Sequence, residues 1–135
     1  MAGVALTQGT TLLIPSGRDG DHLFVVLNDA VKFEGRGARP HVVLVNLSTV
    51  PREGVPYDAT CVLQSGCHPF VRVDSYAYYR QARIEPLDHL VNLVEKGVFK
   101  LHEPMEPELV QRIRAGLVAS PFTSRELKSL PIWAA

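Results

Sequence analysis

The chain has no excess of charge of either sign, since 14 Lys and Arg offset 14 Asp and Glu over 135 residues. That balance excludes the strong electrostatic footprint of a dedicated duplex-DNA binder and leaves only local basic patches. Cysteine is scarce, with Cys61 and Cys67 alone. A lone pair in a chain without a basic-then-apolar leader reads as two reduced thiols rather than a disulfide. A zinc site would need His68, beside Cys67, and one of His22 or His41, but the paired short spacings of zinc ribbons and fingers are missing. No metal and no cofactor is expected. Nor is there an uninterrupted apolar run of about 18 residues, the length a membrane span requires. No membrane partner is expected, and the cytoplasm is the expected compartment. Low-complexity tracts and internal repeats are also missing.

What is present suits one compact core. The apolar fraction is 46% and the charged fraction 21%, enough apolar surface to offset the entropy of ordering the chain. The length matches a single domain of roughly 100 to 150 residues. Residues 10–15 (TTLLIP) are short, β-branched and apolar, and the turn formers of 16–20 follow them. The runs 22–27 (HLFVVL) and 41–47 (HVVLVNL) are nearly continuous in apolar residues, the pattern of strands buried on both faces. Between them, residues 32–40 hold two glycines, a proline and the cations Lys32, Arg36 and Arg39, and so predict an exposed basic loop.

Further along, residues 60–63 predict a short strand, the turn-rich 64–69 place His68 on a loop, and 70–73 predict another strand piece. Over 75–84 (SYAYYRQARI) alternation places Tyr76, Tyr78, Arg80 and Ala82 on one face, with a helix as the competing reading. Leu87, Leu90, Val91 and Val94 recur at helical spacing, Asp88 can cap, and Gly97 stops the run. Residues 98–101 predict a last strand. Pro107 then stands where a first-turn proline opens a helix with the stripe Leu109, Val110, Ile113 and Leu117, ended by Pro121. Thr123 to Glu126 form a capping-box pattern for a closing helix over 124–130.

Several strands followed by one amphipathic helix predict a mostly β, α+β fold, of which a small SH3-like barrel with helical decoration is one solution. The residues narrow the choice. Gly9-Thr10-Thr11-Leu12-Leu13-Ile14 resembles the opening strand of the PemK/MazF toxin family, and HVVLVNLSTV is similar to that family's apolar strand ending in Pro-Ile-Thr-Ser. Ser75 to Arg83 resembles its strand of form Ser-(apolar)4-x-Gln-x-Arg, with Gln81 and Arg83 in register. Gly97 to Leu101 and the 107–117 helix resemble its Gly-x-Leu strand and closing helix. The resemblance implies a small SH3-like β-barrel over 1–119, with 120–135 as a C-terminal helical extension of the same domain. It also implies a toxin-like, metal-independent endoribonuclease acting on single-stranded RNA as a homodimer, with a small acidic antitoxin as partner.

The chain departs from the pattern at one informative place. RNA-cleaving members carry Arg-Pro at the second strand, where Asp21 and His22 stand here, while the hydroxyl half of the site is kept at Ser48 and Thr49. Metal-free RNA cleavage needs a base for the 2′-hydroxyl, a cation for the phosphorane and an acid for the leaving oxygen, and histidine can serve either proton role. The candidate catalytic residues are thus His22, Ser48, Thr49, His68 and Arg83, and the candidate RNA-binding cations are Arg18, Lys32, Arg36, Arg39, Arg72 and Arg80. Each has a plain alternative: a backbone-bonded histidine, a turn before Pro51, exposed strand arginines. The tyrosines would stack bases or fill the core edge or a dimer face. The alternative function is a noncatalytic barrel module that binds nucleic acid or a peptide with the same concave surface.

Overall fold

The structure, a computed structural model, describes residues 4–17 and 20–134. Seven strands form one antiparallel sheet: β1 Thr11–Pro15, β2 Asp21–Val26, β3 His41–Thr49, β4 Val62–Leu63, β5 Ser75–Ala77, β6 Arg83–Pro86 and β7 Lys100–His102. Helices α1 Leu87–Glu95, α2 Pro107–Ala119 and α3 Arg125–Lys128 complete it. The sheet order is β4-β5-β3-β2-β1-β7, with β6 on the same edge of β3 as β5. The path runs open from β4 to β7, and the long β3 pairs with β2 on one edge and with β5 and β6 on the other. No described helix is long and apolar enough to cross a membrane.

The continuous apolar runs are explained by the two layers. Leu23, Val25, Val43, Val45 and Leu47 enter one core, which α2 closes with Val110, Ile113 and Leu117 and α3 with Leu127. Phe24, Val26, Val42 and Leu44 point the other way and pack beneath Leu90 of α1 and Leu6. Both faces of β2 and β3 are covered, so alternation between apolar and polar residues has no reason to appear. Pro107 opens α2 at its first turn, and Gly97, with φ of +76°, ends the turn after α1 through its amide to the Val94 carbonyl.

Four segments differ from the sequence expectation. The single strand expected over 75–84 breaks into β5, a 3₁₀ turn at Tyr79–Gln81 and β6. The break turns Tyr79 inward, where it is fully buried and its hydroxyl donates to the Ile113 carbonyl at 2.8 Å. Residues 70–73 join no ladder, because Val71 closes a local loop through His68 and Gly66. At the last helix the cap is Ser124, whose hydroxyl accepts from the Leu127 amide, and the helix ends by Lys128. The Thr123 hydroxyl is buried with no partner, so the expected Thr123–Glu126 box is displaced by one residue. The last strand likewise begins at Lys100 rather than 98, paired to Leu13, Leu12 and Thr11 of β1.

Candidate functional site

The β2–β3 ladder ends with Phe24 opposite Asn46, and His22 and Ser48 lie beyond it, two residues further along each strand. On the other edge of β3, Ser48 faces Tyr76 directly and Thr49 faces Ser75. By the period-two alternation of strands, His22, Ser48 and Tyr76 share one face of the sheet. A cavity of about 380 Å³ opens at these strand ends, lined by His22, Ser48, Thr49 and Ser75, with Phe70 and Arg72 from the loop between β4 and β5. Three chain segments therefore bring an imidazole, three hydroxyls, a guanidinium and the Asp21 carboxylate to one place.

The His22 ring is held by Ser16. Its Nδ1 lies 2.6 Å from Ser16 Oγ, and that hydroxyl can itself donate to the Ile14 carbonyl at 3.4 Å. In the tautomer whose Nδ1–H donates to this hydroxyl, Nε2 keeps its lone pair. This is the form a general base needs. Arg72 is exposed and takes part in no ion pair among the described residues.

His68 stands in a different environment. Its Nε2 lies 2.6 Å from the Glu103 carbonyl and its Nδ1 accepts from the Phe70 amide at 3.0 Å. Both ring nitrogens are occupied, and burial holds the ring below the usual histidine range, against the pull of the Glu103 carbonyl. It ties the 64–72 loop to the segment after β7 and has neither proton nor lone pair to spare. Arg83 lies over the Phe24 ring at 5.0 Å and 3.6 Å from Glu85, beside the His22 face rather than in the cavity. The basic loop is partly neutralised: Arg36 pairs with Glu126 at 3.0 Å and Arg39 with Asp88 at 2.5 Å, while Lys32 is exposed. Arg18 lies outside the described residues.

A second, smaller cleft of about 240 Å³ adjoins Tyr76 on the same edge. Tyr57, Tyr76, Tyr78 and Phe122 form its walls, with Asp58 and Arg80. Of the tyrosines at 76–79, only Tyr79 belongs to the core. Tyr57, Asp58 and Phe122 escape the sequence reading because they lie 18 residues or more from Tyr76 along the chain, and only the fold assembles them. Among the described residues no group of three His, Cys, Asp or Glu side chains could hold a metal ion. Cys61 and Cys67 are free thiols that burial pushes up from the ordinary range.

No family model and no curated protein matches this chain.

Proposed function

We propose that the protein is a metal-independent endoribonuclease of the PemK/MazF kind, an SH3-like barrel in architecture, that cleaves single-stranded RNA in the cytoplasm. The observation that carries this reading is the convergence of His22, Ser48, Thr49 and Arg72 on one cavity from separate segments. His22 Nε2 would take the proton of the 2′-hydroxyl, whose oxygen then attacks the adjacent phosphorus. The Arg72 guanidinium offsets the charge that gathers on the phosphorane oxygens. The P–O5′ bond breaks, the 5′ oxygen takes a solvent proton relayed through the Ser48 hydroxyl on the His22 face, and a 2′,3′-cyclic phosphate remains. Arg72 in this scheme supplies the cation that the Asp21-His22 replacement removes from the second strand. By the family resemblance the active form is a homodimer, and a small acidic antitoxin occupies the RNA groove.

A second reading is favoured by the aromatic cleft: a noncatalytic module that binds nucleic acid or a peptide and does not cut it. One experiment separates the two. Purified protein is incubated with a long single-stranded RNA in excess chelator. Discrete fragments that vanish in His22→Ala and Ser48→Ala, at an unchanged thermal midpoint, are the expected result. Intact RNA from a folded sample would overturn the ribonuclease and leave the binding module.

A further inference from the structure

We infer that the cleft formed by Tyr57, Tyr76, Tyr78, Arg80 and Phe122 is a stacking subsite for one nucleobase of the single-stranded RNA held at the His22 cavity. The inference rests on the nucleic-acid reading above and adds where a base would sit. Size supports a single ring system: the cleft measures about 240 Å³, below the range of about 300 to 1,000 Å³ that takes drug-sized ligands. Its walls are aromatic and reachable. Tyr57 and Phe122 are 37% and 42% exposed, far more than core aromatics would be. The Tyr57 and Tyr76 rings are 5.1 Å apart and tilted, and the Tyr76 and Tyr78 rings 5.8 Å apart and edge-to-face, so the three form one aromatic cluster along the cleft rather than a closed parallel stack.

The charges select among aromatic-binding ligands. In a cage for a quaternary ammonium or an amine the cation sits over the rings. Here that place is taken by the protein's own Arg80, whose guanidinium is 4.5 Å from the centre of the Phe122 ring. A planar, uncharged ring can stack on the guanidinium–aromatic layer, whereas a second cation is repelled by it. Asp58 adds a polar mark. One of its oxygens accepts from the Thr60 amide and hydroxyl, the other from the Ser120 hydroxyl at 2.6 Å. Burial alone would raise this carboxyl, but those hydrogen bonds and the Arg80 charge hold it below the usual range, so it is ionised. A carboxylate has about four acceptor positions, and one remains for an N–H of a base edge.

Position supplies the link to chemistry. Tyr76 is the direct cross-strand partner of Ser48, and neighbouring strands lie only about 4.8 Å apart. An RNA chain that brings its phosphate to Ser48 therefore has a base within reach of Tyr76. Phe122, which closes the cleft, comes from the segment after α2, so the C-terminal extension builds part of the binding surface.

The test uses the full chain and a short single-stranded 2′-O-methyl oligonucleotide, which has no free 2′-hydroxyl and cannot be cut by this chemistry. A single 2-aminopurine is moved along it, because stacking quenches its fluorescence. We expect strong quenching at one position. Phe122→Leu and Tyr57→Leu, both at exposed positions, should each weaken binding by roughly tenfold to a hundredfold without changing the circular dichroism or the thermal midpoint. An abasic unit at the quenched position should cause the same loss and make the protein variants nearly indifferent. Equal affinity of the abasic and complete oligonucleotides would overturn the subsite. So would a proline-rich peptide that shifts the Tyr57 and Tyr76 resonances when the oligonucleotide shifts neither. Wild-type protein that cuts RNA in chelator but gives no quench overturns the subsite alone, whereas quenching without cutting overturns the ribonuclease alone.

Discussion

The Ser16 hydroxyl lies 2.6 Å from His22 Nδ1, and in the tautomer that donates to it the opposite ring nitrogen keeps its lone pair. If His22 is the base, His22→Ala should lower the single-turnover rate of RNA cleavage by roughly a hundredfold or more. Ser16 acts through His22, so Ser16→Ala should lower it by about tenfold, and Ser16→Thr, which restores the hydroxyl, should recover most of the loss. Thermal midpoints near wild type are expected throughout. A Ser16→Ala variant as active as the wild type would show that the ring is held by something else.

A different pair governs packing. An added Cβ at Gly116 of α2 would fall 2.2 Å from the Tyr79 hydroxyl oxygen and 3.0 Å from the ring carbon that bears it. Tyr79 is fully buried and held by its bond to the Ile113 carbonyl, so it has little room to yield. Gly116→Ala should destabilise the fold by about 1 to 3 kcal/mol in urea unfolding. In a Tyr79→Phe background, which removes the colliding oxygen, the same substitution should cost less, giving a coupling energy between the two sites. Strict additivity would refute the contact.

This contact also shows where legibility in the sequence ended. The apolar runs of β2 and β3 and the stripe of α2 could be read because their burial is repeated along the chain itself. Tyr79 could not, since its alternation partners Ala77 and Gln81 look like any strand, and the reason it turns inward is Ile113, 34 residues later. The site divides in the same way. His22, Ser48 and Thr49 stood at the ends of readable strands. Arg36 and Arg39 read as free cations because their carboxylate partners, Glu126 and Asp88, lie 90 and 49 residues away.

His68 predicts a pH dependence. Burial favours its neutral ring, so its folded value lies below the ordinary histidine value of about 6.5. A group lowered by folding contributes stability in full above its unfolded value and loses it as pH falls through the folded one. The groups around it are His102, with ring centres 4.9 Å apart, which opposes protonation, and Glu103, which favours it. Urea midpoints should therefore fall between about pH 7 and about pH 5. His68→Gln, which can still donate and accept but does not titrate, should flatten that slope. The Asp58 carboxyl is lowered as well, but its loss of stability comes at more acid pH, below about 4. An unchanged slope in His68→Gln would assign the effect to another group.

Arg114 holds the C-terminal segment to the body of the protein. Its two terminal nitrogens donate to the carbonyls of Leu27, next to β2, and Ile132, and its guanidinium lies 5.1 Å from the centre of the Trp133 ring. Trp133 in turn donates to the Leu127 carbonyl at 2.6 Å, closing the tail over α3. A planar fork can serve two carbonyls and a ring face at once, and an ammonium cannot. Arg114→Met leaves both carbonyls without a charged donor, so a loss of about 1 to 3 kcal/mol is expected. Arg114→Lys should recover only part of it. Trp133 is the single tryptophan, so its emission reports the tail directly, and a shift to longer wavelength is expected in Arg114→Met under native conditions. Phe122 leads into the same α3, so the freed tail should also weaken the Arg80–Phe122 layer. A destabilised variant with unshifted emission would place the role of Arg114 at Leu27 alone.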